Sequence, residues 1–294
     1  MKEKEEVDLT RRAILIGGGS LALSALFLGC RTLTPNNRNI GVDGKDYTIQ
    51  PPNGVPHEIS LEAGVNEVEI ASGRKVSAWT YGGQLPGKEI RIKEGERLRI
   101  NFKNNLPTDS SIHWHGIQQR GTNNMDGVPG VTQAPIRAGE SFVYDFLAEH
   151  PGTFFFHPHS GLQIERGLYA PLIIEPKKET LSYDREYTLV LDDWLDGSPE
   201  DVFSKLKGNA GTNSMPGMDH GKMPMNQNNS GMDSMEMEEG ADVNYSSFLI
   251  NGRTPESPAE FIVKNGEKIR LRVINASGST GFRFAVGGHK LTVT

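Results

Sequence analysis

Cysteine is almost absent from this sequence: Cys30 is the only one among 294 residues. No internal disulfide can form, and beyond residue 30 there is no thiolate to ligate a metal. Positive charge is also short. The 31 Lys and Arg residues stand against 37 Asp and Glu, and the net charge of −6 argues against nucleic acid as a partner, whose phosphate backbone requires a basic surface. Long apolar runs are missing as well. The best candidate, Ile16 to Gly29, falls short of the roughly 20 apolar residues of a membrane-spanning helix. Its three consecutive glycines at 17–19 would also weaken any helix.

What is plentiful is glycine and proline, 34 and 17 residues respectively. That balance suits many short strands joined by turns, and the length allows two domains, each with its own core. The expected class is therefore all-β. Residues 1–30 read as an address label. Thr10-Arg11-Arg12-Ala13-Ile14-Leu15 ahead of a modest apolar core is a Tat-type export signal, which places the protein in the periplasm or cell envelope. Phe27-Leu28-Gly29-Cys30 resembles a lipoprotein processing site, so a lipidated Cys30 would attach the chain to a membrane, with a soluble or uncleaved form as the alternative. The leader's four basic and four acidic residues cancel, so the remainder keeps the charge of −6.

Residues 31–45 are polar and expected to be a tether. A first β domain is expected over 46–177. In it Glu67-Val68-Glu69-Ile70 and Leu98-Arg99-Ile100-Asn101-Phe102 alternate with the period of half-buried strands. A second unit over 178–294 carries strand-like runs at Tyr187–Leu191, Phe248–Gly252, Ile269–Ile274 and Phe282–Val286. The final Leu291-Thr292-Val293-Thr294 stops inside another such run, so this second domain is expected to be truncated.

Two short motifs carry the chemistry. His113-Trp114-His115-Gly116 and His157-Pro158-His159-Ser160 place four of the eight histidines in His-x-His pairs. Residues i and i+2 of a strand share a face, so each pair aims two imidazoles at one spot. Two such strands side by side would gather four nitrogen ligands suited to copper, zinc, iron or nickel. A pair of surface histidines on an edge strand is the plain alternative for either motif alone. His57, His150, His220 and His289 are isolated, and His150, before a Pro-Gly turn, is expected at the surface.

The second unit is interrupted by a low-complexity insert over 208–242. Met215, Met218, Met223, Met225, Met232, Met235 and Met237 fall there among Gly, Asn, Asp, Ser and Pro, where no core can form. Thioether sulfur is a soft ligand that selects Cu(I), so these methionines are candidates for transient Cu(I) binding.

Ser111-Ile112-His113-Trp114-His115-Gly116, then Met125-Asp126-Gly127-Val128-Pro129-Gly130, then Gly152 through Gly161 resemble the multicopper oxidase family, laccase-like and cuprous-oxidase-like. Phe248–Gly252 and Leu271–Asn275 share a weaker likeness. The resemblance implies tandem cupredoxin-like Greek-key β-sandwich domains. It implies copper as cofactor and O2 as a partner, reduced to water at a three-copper cluster for which this chain supplies half the ligands. By that likeness His113 would ligate the type 2 copper, His115 and His157 one type 3 copper, and His159 the other. Asp126 would be an acidic residue delivering protons, with a turn-forming aspartate before Gly127 as the alternative. His289 would belong to a structural Gly-His segment, and Trp114 and Phe154–Phe156 would pack around the site.

The reductant would be Cu(I), in copper tolerance, or a small phenolic-type molecule. The resemblance also implies a cysteine-bound type 1 copper and a His-Cys-His stretch, and neither is in these residues. The expectation is thus two domains of three, and the rival is an envelope copper-binding or scaffold protein without oxidase activity.

Overall fold

The computed structural model describes residues 38–40, 46–48, 53–210 and 243–294. Two short strands, β1 (Arg38–Ile40) and β2 (Asp46–Thr48), pair antiparallel, so part of the expected tether is hydrogen-bonded. The strands of the first sandwich then follow: β3 (Pro56–Ala71), β4 (Arg74–Tyr81), β5 (Ile90–Lys93), β6 (Arg97–Asn104), β7 (His113–His115), β8 (Ser141–Leu147), β9 (Gly152–His157) and β10 (Ala170–Glu175). They form two four-stranded sheets, ordered β4-β3-β6-β8 and β5-β10-β9-β7.

Alternation decides which side chains meet between the sheets. In β6, Leu98, Ile100 and Phe102 are buried while Arg97, Arg99 and Asn101 lie toward solvent. Facing them, Ile90, Ile92, Trp114, Phe156, Leu172 and Ile174 come from the other sheet and close one core. Aromatic rings fill its centre. Trp114 lies 5.2 Å from Phe156 and 5.5 Å from Tyr144, ring centre to ring centre, and Tyr81 lies 5.0 Å from Phe156. Such pairs contribute about 0.5–1.5 kcal/mol each beyond the area they bury.

The Glu67–Ile70 stretch is a strand, as its alternation requires, but its apolar face serves a different core. The first half of β3 pairs parallel with β6 and sends Leu61 and Ala63 into the sandwich. The second half pairs with β4 and turns Val68 and Ile70 toward Trp194 and Leu249 of the second unit.

That unit holds β11 (Arg185–Trp194), the helix α1 (Pro199–Ala210), β12 (Ser247–Ile250) and β13 (Ile269–Asn275), its sheet ordered β12-β11-β13. Ile269–Ile274 is a strand as expected. Phe282–Val286 and Leu291–Thr294 are not: they join no sheet among the described residues, and a ladder needs hydrogen bonds to a partner edge. The export signal with Cys30, and residues 211–242 of the expected insert with its methionines and His220, fall outside the described residues, while the insert's first residues, 208–210, end α1. No described helix is long and apolar enough to cross a membrane.

Candidate metal centre

β7 and β9 are neighbours in the same sheet and pair antiparallel, with His113 opposite His157, Trp114 opposite Phe156 and His115 opposite Phe155. Trp114 and Phe156 point into the core and are fully buried, which turns His113, His115 and His157 out together on the other face. The period-2 argument holds for these three and stops there. Pro158 ends the ladder because it lacks an N–H, so His159 sits in the loop beyond β9 rather than on a strand. It is held instead by its backbone N–H, which donates to Ser111 Oγ at 3.2 Å.

The four rings nevertheless converge. Ligand nitrogens of His113, His157 and His159 lie within 4.8 Å of one another. His115 Nδ1 faces His157 Nε2 at 3.2 Å. Two rings have their second nitrogen engaged by the backbone. His113 Nδ1 lies 2.7 Å from the Asp126 carbonyl, and His157 Nδ1 lies 3.1 Å from the Pro158 carbonyl. A carbonyl accepts, so Nδ1 carries the hydrogen in both and Nε2 bears the lone pair, which in His157 faces His115 Nδ1. Such outer contacts fix the tautomer and the ring plane of a metal-binding histidine.

Electrostatics favours the neutral, ligating form. Burial pushes the His157 pKa down to about 4. His115 and His159 are also lowered, first by the protein atoms that crowd them and next by His113. His157 is buried, His113 partly so, and His115 and His159 are exposed, which leaves the site open on one side.

Asp126 reaches His113 chiefly through its main chain. Its carboxylate Oδ1 is 3.6 Å from His113 Nδ1, further than the carbonyl. Gly127 makes this approach possible. Its φ is +83°, and a Cβ there would lie 1.7 Å from the Ile112 carbonyl oxygen. His57, His150 and His289 are exposed and lie apart from the cluster.

The description "Multicopper oxidase" is carried by both family models that match the chain, one over residues 62–179 and the other over 185–294. The chain belongs to the multicopper oxidase family. Among curated proteins, multicopper oxidase MmcO of Mycobacterium tuberculosis is 39% identical over 74% of this chain and 42% of its own length. Copper resistance protein A of Escherichia coli is 36% identical over 80% of this chain and 41% of its own. The chain thus spans about two-fifths of these relatives. Of solved structures, the laccase from Botrytis aclada superposes with a TM-score of 0.59 at 30% identity, over 79% of this chain and 40% of that one. Fet3p shares the fold with a TM-score of 0.61. The all-β fold is therefore that of the cupredoxin-built multicopper oxidases, and the cofactor of the family is copper.

The donor set fits that metal: four converging imidazoles, three of them (His115, His157 and His159) held toward the neutral form, with the Nδ1 of His113 and His157 engaged by backbone acceptors. Sequence reasoning named the four histidines and Asp126. It missed the backbone acceptors and the polar residues that hold the loop, Ser111 and Gln163, because a carbonyl has no residue signature and a buried Gln reads like a surface one.

Proposed function

We propose that this chain forms part of a copper-dependent oxidase that takes electrons from Cu(I), or from a small phenolic-type reductant, and uses them to reduce O2 to water. When bound, copper supplies the one-electron redox chemistry that this reaction requires. The convergence of His113, His115, His157 and His159, with ring tautomers set by the Asp126 and Pro158 carbonyls, is the observation that carries the reading. His113 would serve the type 2 copper, His115 and His157 one type 3 copper, and His159 the other. The 3.2 Å approach of His115 to His157 supports that pairing. Asp126, part-buried beside His113, would hold and pass a proton to the site.

Cu(I) is favoured over an organic reductant by the methionines between Met215 and Met237. The chain returns from that stretch at Tyr245, whose hydroxyl donates to Glu165 in the turn after His159, so it re-enters the fold near the histidine loop. The leader directs the protein to the envelope, with Cys30 as a lipid attachment point. An envelope copper-binding protein without oxidase activity is the second reading, since four converging imidazoles can hold copper without turning over O2.

Copper stoichiometry of the chain, measured with oxygen uptake on Cu(I) and on a phenol, tests the site. His113→Ala and His157→Ala should each lower copper binding by at least about tenfold, and unchanged binding would overturn the ligand assignment. The 294-residue chain should take up little oxygen, since its single cysteine, Cys30, lies in the leader and leaves no thiolate for an electron-accepting copper. Rapid uptake would overturn that account. A gene that reads on into a His-Cys-His stretch supports the oxidase, and a stop codon there supports the binder.

A further inference from the structure

The β7–β9 ladder orients three of the four histidines, but His159 lies beyond it and needs another constraint. Gln163 supplies one. It sits where the histidine loop turns into the short 3-10 turn Ile164–Arg166, and it is 6% exposed. Its side chain crosses to the segment that leads into β7. There Gln163 Oε1 accepts from the Ser110 hydroxyl at 2.7 Å, and Nε2 donates to the Asp109 carbonyl at 2.7 Å and to the Thr108 hydroxyl at 3.3 Å. Both amide hydrogens and one oxygen lone pair are thereby used inside the protein.

The segment it grips is itself fixed. Ser110 is fully buried and exchanges two backbone hydrogen bonds with Ile136, each 2.9 Å. Asn104 of β6 donates to the Thr108 and Ile136 carbonyls, again at 2.9 Å. Next along the chain, Ser111 accepts from the His159 N–H. The loop 158–163 is therefore clamped at two points, Ser111 at His159 and Gln163 at its far end, onto the segment 108–111 that leads into the strand carrying His113. The ring centres of His113 and His159 stand 4.6 Å apart as a result.

We infer that Gln163 is a positioning residue for the metal centre: by clamping the histidine loop to residues 108–110 it sets where His159 stands relative to His113, and so how tightly the site holds a metal ion. This rests on the reading of the four histidines as ligands. Gln163 touches no ring and acts through His159.

The test is metal affinity of the full chain for Cu(II) and for Zn(II), by competition against a chelator, with the Cu(II) electron paramagnetic resonance spectrum as a second readout. Four proteins are compared: wild type, Gln163→Leu, His159→Ala, and the double variant. Gln163→Leu should bind each metal about 10–100-fold more weakly and alter the Cu(II) hyperfine pattern. In the His159→Ala background it should cost nothing further, because the group it positions is gone. An additive loss in that background would show a general structural role and overturn the inference, as would wild-type affinity in Gln163→Leu. A wild type that binds neither metal would instead overturn the four-histidine reading, and this inference with it. If Gln163→Leu fails to fold, Ser110→Ala carries the same cycle. It removes one bond of the clamp and should weaken binding about twofold to tenfold, again only when His159 is present.

Discussion

His157 is the buried histidine of the four, and burial holds its pKa at about 4, against 6.5 for a free imidazole. The linkage follows in sign. Between pH 6.5 and 4 the unfolded chain binds a proton that the folded chain refuses, so stability falls as the pH drops through that window. The loss amounts to up to about 3 kcal/mol. Urea unfolding of the metal-free protein should show it, and His157→Gln should flatten that part of the curve. An unchanged slope would mean that His157 takes up its proton without opening the site. The same preference for the neutral ring favours a metal, since a ligating nitrogen must be deprotonated.

At the scale of elements, the metal centre depends on β7, three residues long, being held in place from both sides. Trp114 anchors it to the core, and Gly127 presses against the Ile112 carbonyl just before it. Gly127→Ala should therefore act twice. The φ of +83° is strained for alanine, and the new Cβ would collide with that carbonyl. A loss of at least about 2 kcal/mol is expected in thermal or urea unfolding. Metal affinity should fall with it, because the Asp126 carbonyl would leave His113 Nδ1. Retained affinity in a destabilised Gly127→Ala protein would show that the carbonyl does not set the tautomer. The three-residue β7 was legible in the sequence because the His-x-His pattern and the buried Trp114 agree. The Phe282–Val286 run shows the converse: alternation licenses a strand, but only a neighbouring edge makes one.

At the scale of the molecule, polar contacts join the first sandwich and the second unit beside the apolar cluster of Val68, Ile70, Trp194 and Leu249. Arg91 of β5 donates to Glu186 of β11 at 2.7 Å, and Arg272 of β13 donates to Thr153 of β9 at 2.9 Å. Close to the histidine loop the seam is acidic. Burial first, and Asp193 second, push the Glu165 pKa up to about 7, against a Tyr245 hydrogen bond that lowers it. Asp193 meanwhile accepts backbone N–H groups from Gly278, Ser279 and Thr280, and Gly278 packs so closely on Glu165 that a Cβ would lie 1.5 Å from its Oε1. From pH 4.5 to 7 the folded state therefore binds the extra proton, and stability falls as pH rises across that range, then levels off. Solvent screening of this part-buried group reduces the effect to on the order of 1–2 kcal/mol. Glu165→Gln should remove the decline and raise the melting temperature at pH 8. No gain at pH 8 would mean that the seam relaxes around the charged carboxylate.

The sequence by itself determined the fold class and the family, and it named the four histidines that the structure brings together. Strand alternation and i, i+2 spacing are local, and the paired His-x-His motifs are legible without knowing what lies beside them. The tertiary structure alone decided that His159 is held from a loop rather than a strand, that the Asp126 and Pro158 carbonyls set two ring tautomers, and that Gln163 ties the loop to residues 108–110. It also decided that Val68 and Ile70 face the second unit. The physical reason is common to all four. Each depends on which residues, remote in the chain or hidden in its backbone, are brought within hydrogen-bond or van der Waals reach, and a pattern along one strand carries no record of its partner.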